Sequence, residues 1–119
     1  MSKTRIAVAG AGYIGLAHME VAQKSASVGL SAVVDPSPAA KAHADAAGVP
    51  LYITLAELFA NDKPDGVVLA TPNPLHVPHA LECIAAGVPM LLEKPIAQTV
   101  AEAERLVRAA DETKAKILI

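Results

Sequence analysis

The sequence predicts an α/β fold: a doubly wound parallel sheet in the strand order 3-2-1-4-5-6, sandwiched between helical layers. Three observations predict it. Short apolar runs alternate with segments of helical periodicity along all 119 residues. The run Gly66-Val67-Val68-Leu69-Ala70 is continuously apolar rather than alternating, as in a parallel strand covered on both faces. The first run, Arg5-Ile6-Ala7-Val8-Ala9, feeds the turn Gly10-Ala11-Gly12-Tyr13-Ile14-Gly15 and then a helical stretch, the arrangement of a β-α-β unit.

That turn carries the strongest chemical signal. In a G-x-G-x-x-G turn between strand and helix, Gly10 permits the tight bend, and Gly12 lacks the Cβ that would hold a diphosphate off the backbone. Gly15 lets the helix lie close against the strand. The helix start then aims unpaired N–H groups and its positive dipole end at an anion. Asp35 closes the next apolar run, Leu30 to Val34, 20 positions after Gly15, where a carboxylate accepts hydrogen bonds from an adenosine ribose. The pattern reads as a dinucleotide site. A carboxylate at Asp35 suits a free 2′-hydroxyl and repels a 2′-phosphate, so NAD is favoured over NADP.

The remaining elements follow in order. Ile14 to Gln23 has apolar residues at helical spacing, and the second strand ends at Asp35. Ser37 reads as an N-cap with Pro38 at the first helical position, and that helix ends at Gly48. Leu51 to Ile53 forms a short third strand, and Thr54-Leu55-Ala56-Glu57 is a capping box opening a helix to about Ala60. After the Gly66–Ala70 strand, a helix runs from about Pro74 to Ala86 and stops at Gly87. Met90-Leu91-Leu92 is the fifth strand, and Thr99-Val100-Ala101-Glu102 a second capping box. Val100, Ala103, Leu106, Val107 and Ala110 make one apolar stripe, and Lys116 to Ile119 begins a sixth strand.

Composition narrows the partners. The net charge of -2 and the 3% aromatic content provide neither a basic footprint nor stacking platforms, so nucleic acid is not expected. No apolar stretch reaches the length of a membrane span, which makes the cytoplasm the expected location, with no membrane partner. The single cysteine, Cys83, reads as a small buried hydrophobe, and no metal site is expected.

In this kind of sheet ligands bind outside the carboxyl ends of the strands. Four segments fall there: Gly10–Gly15, Asp35, Thr71-Pro72-Asn73-Pro74 and Glu93-Lys94-Pro95. By their own chemistry Lys94 and His76 stay open. Lys94 reads as a proton-transfer group or as a loop lysine paired with Glu93. His76 reads as a cofactor contact or as a ring satisfying a backbone carbonyl. Asn73 could cap the following helix. His18, His43 and His79 read as structural or helix-surface side chains.

The motifs Ala70-Thr71-Pro72-Asn73-Pro74-Leu75-His76 and Glu93-Lys94-Pro95, following the glycine turn, resemble the glucose–fructose oxidoreductase / inositol dehydrogenase / rhizopine-catabolism (Gfo/Idh/MocA) family. The resemblance covers essentially the whole chain as that family's N-terminal Rossmann domain. It implies an NAD(P)-dependent oxidoreductase acting on a sugar, inositol or related polyol. It further implies that Gly10, Gly12, Tyr13, Ile14 and Gly15 cradle the diphosphate and Asp35 holds the adenosine ribose. Thr71, Asn73 and His76 would line the nicotinamide half, Glu93 would touch its ribose, and Lys94 would be the catalytic lysine, before a proline bond often cis in relatives. The family's second α/β domain, which binds substrate and forms the oligomer interface, is not among residues 1–119. The chain alone is therefore expected to be inactive, and the full-length protein a homo-oligomer. A dinucleotide-binding sensor without catalysis is the competing expectation, and Lys94 separates the two.

Overall fold

The computed structural model describes residues 3–119. Six strands form one parallel sheet in the order β3-β2-β1-β4-β5-β6. The strands are β1 Thr4–Ala9, β2 Val28–Val34, β3 Leu51–Tyr52, β4 Gly66–Leu69, β5 Met90–Leu92 and β6 Ile117–Leu118. Between them run α1 Tyr13–Lys24, α2 Ala40–Ala47, α3 Leu55–Asn61, α4 His76–Ala86 and α5 Val100–Thr113. The predicted order of strands is the observed one.

The two faces of the sheet are read directly from alternate residues. Ala7, Ala9, Val34, Val67, Leu69, Met90 and Leu92 share a core with Leu55, Leu58, Val77, Cys83 and Leu106 from α3, α4 and α5. Val8 and Val33 point the other way, onto Met19 of α1 and Ala44 of α2. Leu55, Leu58, Leu69 and Leu92 are no more than 2% exposed. Each contributes on the order of 2 kcal/mol through apolar burial.

Three local expectations change. The helix after β2 begins at Ala40 and not at Pro38, because the Ser37 N–H donates to Asp35 Oδ1 at 2.7 Å. That bond turns residues 35–37 into an Asx turn, which delays the helix. The apolar stripe of α5 divides: Leu106 is buried, whereas Val100 and Val107 are 74% and 54% exposed. The helix meets α4 through a strip narrower than its apolar face. The sheet is also not covered evenly, since α1 and α2 lie over β1 to β3. Leu91 is accordingly half-buried and Leu118 exposed, although Met90 and Leu92 on the opposite face are buried.

Register matters most for function. Ala9 pairs with Val34 on one side and with Leu69 on the other, and Leu69 pairs with Leu92. Four strand ends are therefore level. The following residues extend the ladder: Gly10 N–H donates to Val34 O at 2.8 Å, Ala70 N–H to Ala9 O at 2.8 Å and Glu93 N–H to Leu69 O at 3.1 Å. The loops leave the sheet side by side because their first residues are still hydrogen-bonded to it.

Candidate functional site

A cleft of about 740 Å³ opens at that rim, where β1 has one neighbour continuing toward β3 and the other toward β6. Its walls include Gly10, Gly12, Tyr13 and Ile14 from the glycine turn, Asp35 to Ser37, Ile53 and Thr54, and Thr71 and Pro72. Leu75, His79 and Glu82 of the β4–α4 segment complete it.

The three glycines do different work. Gly10 has φ +94°, and a Cβ there would lie 2.4 Å from Ala70 O, so both its conformation and its neighbour exclude a side chain. At Gly15 a Cβ would lie 1.6 Å from Gly10 O. The helix start thus packs on the turn itself, more closely than on the strand. At Gly12 a Cβ would meet nothing within 4 Å. Bare backbone at Gly12 is not needed for packing, and it leaves the wall open where a diphosphate would approach. Gly12 is also the N-cap of α1, with no side chain satisfying the first N–H groups.

Asp35 is fixed from both sides. Oδ2 accepts from Ala11 N–H at 2.7 Å and Oδ1 from Ser37 N–H at 2.7 Å. An ionised carboxylate has about four acceptor positions, so two backbone bonds leave room for ribose hydroxyls. The carboxylate both joins the glycine turn to the β2 loop and retains acceptors for a ligand.

On the β4 side, Asn73 to Leu75 form a 3-10 turn before α4, with Pro72 at the cap position and no side chain capping it. The predicted capping role of Asn73 is absent, and its amide is exposed. His76 does not line the cleft. It is 1% exposed, with Nε2 2.8 Å from Thr71 O and Nδ1 2.7 Å from Pro95 O. The reading of His76 as a direct cofactor contact gives way to its other reading, a buried ring engaging backbone carbonyls. His79, read from sequence as structural or solvent-facing, lines the cleft with Nδ1 3.1 Å from Thr71 Oγ1. Burial chiefly pushes its pKa down, against a raising effect of Glu82.

On the β5 side, Glu93 Oε1 lies 2.6 Å from His18 Nε2 of α1, so Glu93 pairs with His18 rather than with Lys94. The expectation that His18 is merely a helix-surface residue is thereby corrected. Lys94 is exposed, and the Lys94–Pro95 peptide is cis. Sequence spacing could have flagged both missed histidines: His18 is one turn beyond Gly15, and His79 one turn beyond His76. Cys83 is fully buried, and burial raises its thiol to about 12.

A level-ended parallel sheet, a glycine turn opening a helix and an acidic residue closing the second strand define a dinucleotide-binding α/β domain. The chain belongs to the oxidoreductase family with an NAD-binding Rossmann fold, which it matches over residues 4–119. It is 33% identical over 119 residues to the rhizopine catabolism protein MocA of Rhizobium meliloti, covering 100% of this chain and 38% of that protein. It is 34% identical over 100 residues to inositol 2-dehydrogenase of Corynebacterium glutamicum, covering 81% of this chain and 30% of that one. Among solved structures it resembles the WlbA dehydrogenase of Bordetella pertussis in complex with NADH and UDP-GlcNAcA. There the TM-score is 0.91 and the identity 31%, over 98% of this chain and 36% of that one. The chain spans about a third of the length of these relatives. No described helix is long and apolar enough to cross a membrane.

Proposed function

We propose that residues 1–119 are the cofactor-binding domain of a dehydrogenase that transfers a hydride between NAD and the carbinol carbon of a sugar, inositol or related polyol. One observation carries the reading. The level ends of β1, β2, β4 and β5 deliver the glycine turn, Asp35, Thr71 and the Glu93–Pro95 loop to one rim. NAD, when bound, supplies the carbon that takes or gives the hydride.

The chain's own residues do the rest. The open backbone at Gly12 and the first N–H groups of α1 hold the diphosphate, with Tyr13 and Ile14 forming the wall beside it. Gly10 and Gly15 act through packing. Asp35 accepts the adenosine ribose hydroxyls on its remaining acceptor positions, and its charge disfavours a 2′-phosphate. Thr71 and Asn73 face the nicotinamide half, and Glu93, held by His18, its ribose. Lys94 takes the hydroxyl proton as the carbonyl forms, or returns it in reduction. Substrate-binding groups, the oligomer contacts and turnover belong to the longer protein, placed in the cytoplasm, and residues 1–119 alone bind NAD without turning over. A sensor without catalysis has no use for a lysine at this end, and nothing in the site favours that alternative.

Fluorescence titration of the chain with NADH and NADPH tests the cofactor half. Tighter binding of NADH supports it, and no binding of either nucleotide sinks it. For the chemistry, the longer protein is assayed with NAD against inositols and sugars, alongside its Lys94→Ala variant. Loss of turnover with NADH affinity retained is the expected result; unchanged turnover removes Lys94 from the mechanism.

A further inference from the structure

We infer that His76 is a positioning residue that makes the nicotinamide end one mechanical unit by tying the Thr71 loop to the Lys94–Pro95 loop. This rests on the reading above that these loops face the nicotinamide half. His76 is the only polar or charged residue that is buried as a whole among the described residues. Its two ring nitrogens reach the carbonyl oxygens of two different loops, Thr71 at 2.8 Å and Pro95 at 2.7 Å, 5 and 19 residues away in sequence. Both distances are short for N–H···O bonds. A carbonyl oxygen only accepts, so the ring N–H donates, and the ring stands in close contact with both loops at once.

The location makes the tie consequential. Thr71 lines the cleft, and Lys94 immediately precedes the bonded Pro95. On the other side of Lys94, Glu93 is held by His18 at 2.6 Å. The lysine is thus bracketed by two residues, each tied to a histidine from a different helix, α1 for Glu93 and α4 for Pro95. Thr71 has a second tie through its hydroxyl to His79. Removing His76 leaves both carbonyls without that partner and lets the two loops move independently. The diphosphate and adenosine walls, built from residues 10–14 and 35–37, have no bond to this ring.

The test compares NADH with ADP, which has the adenosine and diphosphate but no nicotinamide riboside. Binding of each to the unaltered chain, His76→Ala and His76→Gln is measured by calorimetry, with circular dichroism confirming the fold. His76→Ala is expected to weaken NADH about tenfold and ADP less than about threefold. Gln keeps an amide donor, so His76→Gln should recover part of the NADH affinity. If His76→Ala does not fold, His76→Gln against the unaltered chain carries the comparison, with the same selective weakening expected. Parallel weakening of both ligands, or no change in either, overturns the inference while leaving the NAD reading intact. If the unaltered chain binds NADH no more tightly than ADP, the nicotinamide-end reading fails first and this inference falls with it.

Discussion

His18 Nε2 and Glu93 Oε1 meet at 2.6 Å, joining the first helix to the loop after the fifth strand across 75 residues of sequence. With side chains 25% and 29% exposed, the pair is partly shielded from water, and neither residue lines the cleft. Replacing His18 with Ala should cost about 1 kcal/mol in urea denaturation, the usual net worth of one such bond. A cost indistinguishable from zero would show that the contact does not anchor the Glu93 loop.

The three glycines of the turn should separate fold from binding. Gly15→Ala places a Cβ 1.6 Å from Gly10 O and should destabilise the chain severely, by several kcal/mol or to failure of folding. Gly12→Ala meets nothing within 4 Å and has an ordinary extended φ of -80°, so its Tm should stay within a few degrees of the unaltered chain. NADH binding by Gly12→Ala should nevertheless fall about tenfold or more, since the new methyl stands in the diphosphate approach. A Tm loss at Gly12 equal to that at Gly15 would contradict this division.

Asp35 has a double role that substitution should expose. Asp35→Ala removes the partner of Ala11 and Ser37 N–H and should lower Tm. It also removes the charge facing a 2′-phosphate, so the ratio of NADPH to NADH affinity should rise by about tenfold. Both readouts come from one protein preparation, by thermal melting and fluorescence titration. An unchanged ratio would take Asp35 out of cofactor selection.

Histidine 79 should add a pH dependence to stability. Its folded pKa is lowered, chiefly by burial, from the ordinary 6.5. The unfolded chain therefore binds its proton more readily. The resulting stability is present above 6.5 and is lost as pH falls from there toward the depressed folded value. Tm measured across that window should fall less steeply with acid in His79→Gln than in the unaltered chain. Identical slopes would show that the ring is not desolvated in solution.

Cys83 should be inert until the chain unfolds, because its thiol is fully buried and raised to about 12. Disulfide-exchange reagents at neutral pH should modify it at the rate of opening of the fold and no faster. Rapid stoichiometric labelling of the folded chain would contradict the packing of α4 on the sheet.

Local and periodic information was legible in the residues themselves. The helix starts at Thr54 and Thr99 and the glycine turn follow from capping chemistry and the need for bare backbone, each set by neighbours within a few positions, and the strand order follows from the alternation of strands and helices in a doubly wound sheet. The glycine turn, Asp35 and the Thr71 and Lys94 loops could be assigned to one rim because a parallel sheet sends all its strand ends the same way. Tertiary structure decided which side chains at that rim face the cleft. Whether His76 turns inward to two carbonyls, His79 reaches Thr71 or His18 finds Glu93 depends on how α1 and α4 are rotated against the sheet, which helical periodicity alone leaves free. The same holds for α5, whose apolar face is wider than the surface α4 offers it, so that Leu106 is buried and Val107 is not. Backbone periodicity is a property of short segments, whereas hydrogen-bond partners 19 to 75 residues apart exist only once the layers have packed.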